Sequence, residues 1–167
     1  VVDELKELSV PEIREAVQAQ IIPASIAMHN VYGNLNLGSI IRTANFLGFK
    51  EVLYFGRRKW DRRGAVGTYH YTEVTYFPDE QEFLKGISER GLNLVALENN
   101  VEYTTPVEEF HWPENPCILV GEENSGLPES ILEECHATVE IFGRGSVRSL
   151  NVSTAAAIAM FELSRSV

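Results

Sequence analysis

The segment Cys117–Pro128, with the sequence CILVGEENSGLP, contains the pattern on which the fold prediction depends. Its first four residues are apolar, as is typical of a buried strand. Two glycines in the next six residues let the backbone approach a ligand closely, and Pro128 suits the first turn of a helix. A strand, a glycine loop and the start of a helix therefore follow one another without a break.

The same alternation of short apolar runs and helical patterns continues along the chain. We predict strands at Ser25–Val31, Glu51–Phe55, Glu73–Phe77, Asn93–Leu97, Cys117–Val120 and Thr138–Ile141. We predict helices at Leu37–Leu47, Asp79–Glu89, Pro128–Glu134 and Ser153–Ser164. This order indicates an α/β domain with a mostly parallel sheet and helices on both faces. Ligands of such sheets bind beyond the carboxyl ends of the strands, so the loops that follow the strands are the candidate sites.

A short helical extension is predicted before this domain. Residues 3–20 have a helical pattern, with Ser9 and Glu12 spaced as in a capping box and Pro11 near the helix start. We expect residues 1–22 to form the extension and residues 23–167 to form the main domain.

Composition excludes several classes of protein. The 167 residues are 44% hydrophobic and 23% charged, which is ordinary for a soluble globular protein. No apolar run approaches the roughly 18–20 residues that span a bilayer, and no signal peptide is visible, so we expect a cytoplasmic protein without membrane contact. Two cysteines are too few for a disulfide scaffold. The histidines and cysteines lack the spacing of metal ligands, so we assign no metal.

The charge is distributed unevenly. The net charge is −10, which argues against a protein that coats nucleic acid non-specifically. The segment Arg57–Arg63 nevertheless holds five basic residues and one acidic residue, so it carries +4 and the rest of the chain −14. Such a segment is compatible either with docking one phosphate-bearing partner or with an ordinary solvated loop.

Two familiar phosphate-binding motifs are absent. The run Gly143–Arg148 begins like a dinucleotide fingerprint but ends in arginine instead of glycine or alanine. The run Gly121–Gly126 is followed by Leu127, where a P-loop requires lysine. Neither a nicotinamide enzyme nor a nucleoside triphosphatase is supported.

A loop and helix at Asn34–Ala44 contain two further candidates. Asn36 stands where a helix N-cap is expected, and Arg42 lies within an otherwise apolar helical stretch. A lone arginine is costly to bury, so it requires an anion, either a carboxylate of the protein or a phosphate of a ligand.

Three motifs together resemble one family. They are Asn36–Ala44 with Gly38 and Arg42, then Gly121, Glu123, Gly126 and Leu127, and finally Ser149–Ala157. In order and spacing these motifs resemble the SpoU-type (TrmH-like) RNA ribose methyltransferases of the SPOUT superfamily. The resemblance covers roughly residues 25–166. The chain departs from the family at Ile141–Gly143, where Ile-Pro-Met is frequent, and in its acidic composition and short extension.

The resemblance implies a fold, a cofactor and an assembly. The expected fold has a C-terminal deep trefoil knot, in which S-adenosylmethionine binds mostly through backbone groups. The positions that match the cofactor contacts of the family are Asn99, Gly121, Ile141 and Leu150, with Ser149 nearby. Members of the family are homodimers whose active site lies where the two chains meet, and the alanine-rich helix at residues 153–164 suits that interface.

The resemblance also implies catalytic roles. The arginine that corresponds to Arg42 is the proposed general base of the family. Because guanidinium groups normally stay protonated, Arg42 is alternatively expected to hold a phosphate and stabilise the developing alkoxide. Asn36, Ser149 and Asn151 offer neutral donors and acceptors around the ribose. Glu123 is expected to orient Arg42 or Asn36, either in the same chain or across the dimer. Hydrogen bonds that only structure the loops are the alternative.

A basic surface for RNA is expected beside these loops. The candidate contacts are Arg57, Arg58, Lys59, Arg62 and Arg63, together with Arg144 and Arg148 in the loop that ends at Ser149. The aromatic residues Trp60, Tyr69, His70 and Tyr71 are expected either to stack on an unpaired base or to anchor the loop.

The sequence therefore predicts an S-adenosylmethionine-dependent RNA ribose 2′-O-methyltransferase, with tRNA favoured as the substrate. Ribosomal RNA is the alternative within the same class. A non-catalytic RNA-binding or cofactor-binding partner subunit and a small-molecule methyltransferase are the alternatives from other classes. The net charge also leaves room for an accessory protein that supplies positive charge.

Overall fold

Seven parallel strands form a single sheet in a computed structural model that describes all residues from 1 to 167. The strands are β1 (Ile22–Asn30), β2 (Phe49–Gly56), β3 (Val74–Phe77), β4 (Asn93–Leu97), β5 (Thr105–Pro106), β6 (Pro116–Val120) and β7 (Ala137–Glu140). The helices are α1 (Val10–Gln18), α2 (Asn36–Leu47), α3 (Glu80–Glu89), α4 (Glu129–Leu132) and α5 (Val152–Arg165). The strand order across the sheet is β3-β2-β1-β6-β4-β7-β5.

The alternation of strands and helices confirms the predicted α/β domain with a parallel sheet. Each predicted strand and helix of the main domain is present, with ends that differ from the prediction by at most three residues. The prediction missed β5, which lies within the long connection between β4 and β6. It was missed because β5 has only two residues and contains a proline, which suits an edge strand and leaves no periodic pattern.

Two apolar layers cover the two faces of the sheet. Alternate residues of a strand point to opposite faces, so Ile26 and Met28 of β1 pack beneath α2 and α5. Ala27, between them, packs with Phe83 of α3 and Ile131 of α4 on the other face. Burial on both faces explains why the strands are continuous apolar runs.

The N-terminal extension predicted for residues 3–20 is helical in two pieces. It consists of a 3₁₀ turn at Asp3–Leu5 followed by α1, because Ser9 is extended and caps α1. The predicted capping box is confirmed: the Glu12 carboxylate accepts hydrogen bonds from the backbone N–H and the hydroxyl of Ser9, at 2.8 and 2.6 Å. No helix of the chain is both long enough and apolar enough to cross a membrane.

The strand order indicates where on the sheet a ligand is expected to bind. The chain winds outward from β1 to β2 and β3 on one side, and reaches β6, β4 and β7 on the other. The direction of winding therefore changes between β1 and β6. In parallel sheets the crevice at such a switch point, beyond the carboxyl ends, is the usual ligand site.

Candidate functional site

A cavity of about 310 Å³ lies beyond the carboxyl ends of β4, β6 and β7. Its walls come from the ends of these strands, from the loops that follow them and from the first residues of α5. All five predicted cofactor positions line it, namely Asn99, Gly121, Ile141, Ser149 and Leu150. Leu97, Val120 and Val152 give part of the wall an apolar surface.

The loop between β6 and α4 folds back on itself through its two glycines. A Cβ at Gly121 would lie 2.6 Å from the carbonyl oxygen of Gly126, so only glycine fits. Gly126 has φ +61°, a left-handed conformation that favours glycine. Its N–H donates to the carbonyl of Glu122 at 3.0 Å. The loop therefore presents backbone, with little side-chain cover, to the cavity.

Two residues at the end of β4 fasten the cavity walls together. The Glu98 carboxylate accepts hydrogen bonds from the backbone N–H groups of Asn99 and Leu127, at 2.9 and 3.1 Å. The Asn99 side chain donates to the carbonyl of Arg148 at 3.1 Å. Glu98 thus holds the glycine loop and Asn99 holds the loop after β7. Glu98 was not among the predicted site residues, although an acidic residue directly after an apolar strand could have indicated its role.

A polar cluster of three predicted catalytic residues lies beside the cavity. The Asn151 side-chain amide donates to Oδ1 of Asn36 at 3.0 Å and to Oε1 of Glu123 at 2.7 Å. The same Glu123 oxygen accepts from the backbone N–H of Val152 at 3.2 Å. The Asn151 side-chain oxygen caps α5 by accepting from the N–H groups of Ser153 and Thr154. Three loops that are distant in sequence therefore meet at one amide group.

One expectation for this cluster needs correction, and the role of Glu123 toward Arg42 stays a prediction. Asn36 is the first residue of α2 and not its N-cap, because its side chain bonds Asn151 and the Asn34 side chain accepts the Asn36 N–H instead, at 3.0 Å. Glu123 does not contact Arg42 within the chain and reaches Asn36 only through Asn151. The physical reason is the short reach of the loop, which places Glu123 against the start of α5.

Arg42 and Ser149 lie outside this hydrogen-bonded cluster. Arg42 is exposed on α2 and takes part in none of the ion pairs of the chain. It lies one helical turn before Phe46, which is 85% exposed. Ser149 is exposed and lines the cavity. The expectation that Arg42 is buried and therefore requires an anion is wrong, because its side chain is exposed on α2.

The predicted basic segment packs against the start of α2. The buried Asn30 side chain at the end of β1 donates to the carbonyls of Arg57 and Lys59, at 2.7 and 3.2 Å. Its oxygen accepts the N–H of Gly33 at 3.2 Å. A Cβ at Gly38, in the first turn of α2, would lie 2.7 Å from the Ala65 nitrogen. The cations are thus held next to the loop that carries Asn36.

The cations of this segment are not equivalent. Arg63 forms an ion pair with Asp61 at 2.6 Å, and the hydrogen bonds from Arg63 lower the pKa of Asp61 to about 2. The Arg62 guanidinium lies 5.9 Å from the ring centre of Trp60 and 5.1 Å from that of Tyr69. Arg57, Arg58 and Lys59 are exposed and outside every ion pair.

The aromatic residues near the basic segment divide between the two expected roles. Trp60 and Tyr69 pack partly buried against the main core, with their ring centres 5.8 Å apart, which supports the anchoring role. His70 is exposed, and its carbonyl accepts a hydrogen bond from Arg14 of α1 at 2.8 Å. Of the remaining predicted RNA contacts, Arg144 is exposed and Arg148 is exposed at the cavity.

The two thiols are unsuited to nucleophilic catalysis. Burial raises the pKa of Cys117 well above its usual value and raises that of Cys135 to about 11. Both side chains therefore stay protonated at neutral pH, whereas thiolates are the reactive form.

The chain belongs to the SpoU rRNA methylase family, whose model matches residues 23–161. A tRNA (guanosine(18)-2′-O)-methyltransferase of Thermus thermophilus is 28% identical over 164 residues, which cover 92% of this chain and 80% of the relative. An uncharacterized tRNA/rRNA methyltransferase of Mycolicibacterium vanbaalenii is 30% identical over 147 residues, which cover 84% of this chain and 46% of the relative. The chain thus spans about half the length of the mycobacterial relatives that it matches.

Solved structures share the fold. The TrmH/SpoU tRNA modifying enzyme of A. aeolicus superimposes with a TM-score of 0.80 at 22% identity, covering 94% of this chain and 81% of that chain. The SpoU methyltransferase AviRb of Streptomyces viridochromogenes, solved with the cofactor AdoMet, gives 0.75 at 24% identity, with coverage of 87% and 57%.

Proposed function

We propose that this chain is an S-adenosylmethionine-dependent RNA methyltransferase that acts on a ribose 2′-hydroxyl. One observation carries the proposal: the Asn36–Asn151–Glu123 cluster borders a cavity lined by every position expected to contact the cofactor. Membership of the SpoU rRNA methylase family supports the methyltransferase part of the proposal.

The cavity fits the proposed cofactor. Its wall combines apolar side chains with glycine backbone at Gly121 and Gly126, and a Cβ at either glycine would clash with neighbouring protein atoms. Small-molecule sites are typically apolar clefts with a few fixed polar groups. When bound, S-adenosylmethionine supplies an electrophilic methyl group on a sulfonium, so the protein has to position the acceptor hydroxyl and assist the loss of its proton.

The residues of the chain are suited to these tasks. Asn36 and Asn151 hold each other at the edge of the cavity, and the exposed Ser149 hydroxyl adds a donor and acceptor there. Arg42 holds the neighbouring phosphate and stabilises the developing alkoxide, because a guanidinium keeps its proton at neutral pH. Asn151 also has a structural role, because its side-chain oxygen caps α5.

We propose that the active site is completed in a homodimer whose C-terminal segment is knotted, as in the family. The loop from Gly143 to Leu150 is exposed throughout and includes Val147, which is 72% exposed. Ile158 and Phe161 add exposed apolar surface on α5. Phe46, one turn after Arg42 on α2, is a further exposed apolar residue for such an interface, and we propose that Arg42 reaches the site of the partner chain.

RNA is the proposed substrate, with tRNA favoured and ribosomal RNA as the alternative. Arg57 and Lys59 are exposed cations outside every ion pair, and the Asn30 side chain holds their backbone beside the loop of Asn36. Arg58 is also exposed, but its guanidinium lies 5.6 Å from the ring centre of Tyr76. A backbone phosphate of a bound RNA can reach this surface. The relative from Thermus thermophilus, matched over 80% of its length, is a tRNA (guanosine(18)-2′-O)-methyltransferase. Because the net charge is −10, we also propose an accessory protein that supplies positive charge for RNA binding. The proposed location is the cytoplasm.

The proposed domain boundaries are residues 1–22 for the extension and 23–167 for the methyltransferase domain. The extension contacts the domain near the basic segment, through Arg14 and the His70 carbonyl.

A methyl-transfer assay tests the proposal. Tritiated S-adenosylmethionine is offered with unmodified tRNA and rRNA transcripts in separate reactions, and RNA-bound label is measured. Label in tRNA supports the favoured substrate, and label in rRNA alone selects the alternative. Cofactor binding by calorimetry without transfer to either RNA would indicate a partner subunit, and the absence of both would contradict the proposal.

A further inference from the structure

Two glutamates separate the cofactor cavity from a neighbouring polar cleft. The cleft, of about 400 Å³, lies between the loop of Asn34–Asn36 and the glycine loop, beside Asn151. Glu122 and Glu123 are the two residues that line both the cavity and the cleft. A methyl group that passes from a donor in the cavity to a hydroxyl in the cleft has to pass these residues.

The two glutamates have different surroundings. The Glu123 carboxylate accepts hydrogen bonds from Asn151 and from the N–H of Val152. Glu122 is only 2% exposed, and its Oε1 is buried without a hydrogen-bond partner. Its carboxylate takes part in none of the ion pairs of the chain. A buried carboxylate in this state lacks the compensation that buried charges normally have.

The neighbouring groups do not supply the missing charge. His29, whose pKa is affected by the charge of Glu122, has a lowered pKa, mainly because its side chain is partly buried. Its imidazole is therefore largely neutral at pH 7, and its Nδ1 is also without a partner. Arg148 lines the cavity but is exposed and not paired with Glu122. No cation of the chain therefore forms an ion pair with Glu122.

We infer that Glu122 is the counter-charge of the sulfonium and makes the site prefer S-adenosylmethionine over its demethylated product. This inference rests on the proposed function. In the transfer the S–CH₃ bond breaks with its electron pair left on sulfur, and an O–CH₃ bond forms at the hydroxyl, which loses its proton. The sulfonium thereby becomes a neutral thioether, so the charge that attracts Glu122 disappears. Glu122 is thus a specificity-determining residue that weakens product binding relative to substrate binding.

The motif does not require this glutamate. In the pattern Gly-x-Glu-x-x-Gly-Leu, Glu122 occupies the variable position between Gly121 and Glu123. The preference for the charged cofactor is therefore a property of this chain's own residue.

Calorimetric titration of the purified chain tests the inference without any RNA. We expect the wild type to bind S-adenosylmethionine about tenfold more tightly than S-adenosylhomocysteine, as a partly screened charge pair at short range allows. Glu122→Gln should weaken binding of S-adenosylmethionine about tenfold and leave S-adenosylhomocysteine within about twofold. Glu122→Asp keeps the charge and should keep the preference. Glu129→Gln, an exposed residue at the start of α4, removes the same charge and should change neither affinity.

A second readout separates this role from a structural one. Without ligand, Glu122→Gln should unfold at the same temperature as the wild type or higher, because it removes an uncompensated buried charge. Equal affinity of the wild type for the two ligands would overturn the inference. So would an equal loss of both affinities in Glu122→Gln together with a lower unfolding temperature. If the wild type binds neither ligand, the proposed cofactor itself is wrong, and the inference falls with it.

Discussion

The side-chain amide of Asn151 donates a 3.0 Å hydrogen bond to the side-chain oxygen of Asn36, which lies 115 residues earlier in the chain. The same nitrogen bonds Glu123, and the Asn151 oxygen caps α5. One side chain therefore ties the start of α2, the glycine loop and the start of α5 together at the edge of the cofactor cavity.

Asn151→Ala should reduce methyl transfer by at least about a hundredfold, since a displaced site costs orders of magnitude in rate. It should also destabilise the fold by about 1–2 kcal/mol, because the N-cap of α5 is removed. Asn151→Asp keeps the capping oxygen but cannot donate to Asn36 and Glu123, so it separates the two effects. Single-turnover rates and urea denaturation measure them. A variant with Asp that is stable and fully active would show that the donated bonds are unimportant.

Arg42→Ala should abolish methyl transfer while leaving stability within about 0.5 kcal/mol, because the side chain is exposed and unpaired in its own chain. Lys85→Ala, which removes an exposed cation of α3 that is outside every ion pair, is the control and should keep full activity. Thermal melts and methyl-transfer rates decide the outcome. Undiminished transfer by a folded Arg42→Ala protein would remove Arg42 from the site.

The two-chain site can be tested by mixing inactive variants. If Arg42 serves the partner's site, equal amounts of Arg42→Ala and Asn151→Ala chains, exchanged into hybrid dimers, should recover about a quarter of the wild-type activity, since one of two sites in half of the dimers is intact. No recovery, with hybrid dimers verified, would place Arg42 and Asn151 of the same chain in one site.

Arg57→Glu and Lys59→Glu should each weaken RNA binding. A plot of log affinity against log salt concentration should also become less steep, by about one unit of slope for each RNA phosphate that is no longer neutralised. Affinity for S-adenosylmethionine should not change. Arg63→Glu is the informative control, because Asp61 already neutralises Arg63 and the effect should be smaller. Filter binding at several salt concentrations provides the measurement. An effect of Arg63→Glu equal to that of Arg57→Glu would contradict the assignment of free and paired cations.

Glu98→Gln should raise the Kd for S-adenosylmethionine about fivefold to thirtyfold, because one of two carboxylate hydrogen bonds to backbone N–H groups is replaced by a donor facing a donor. The rate at saturating cofactor should change little, since Glu98 positions the glycine loop and does not border the polar cleft. Glu102→Gln, in the exposed loop beyond β4, is the control. A fall in saturated rate without a change in Kd would assign Glu98 a different role.

Periodicity and loop chemistry were sufficient to predict most of the fold. Buried parallel strands are continuous apolar runs, and helices follow them, so β4 was predicted with its observed ends. The two-residue β5 leaves no such pattern. The position of Asn36 suggested an N-cap, but its actual partner is Asn151, and no local pattern encodes a hydrogen bond across 115 residues.

The residues that support the site could not be predicted from the sequence, because no local pattern encodes contacts between distant segments. Glu98, Glu122 and Asn30 owe their importance to backbone groups and cavities that come together only in the folded chain. The sequence also suggested five equal cations between Arg57 and Arg63, whereas folding pairs Arg63 with Asp61 and lays Arg62 over Trp60 and Tyr69.

The most direct test of the central claim is the chemical location of the transferred methyl group. RNA methylated by the wild-type protein with labelled S-adenosylmethionine is digested to nucleosides, which are separated and identified by mass. The account predicts that the label lies in a 2′-O-methylated nucleoside and that Asn151→Ala and Arg42→Ala give almost none. Label on a nucleobase would contradict it, because the Asn36–Asn151–Glu123 joint would then serve a different acceptor.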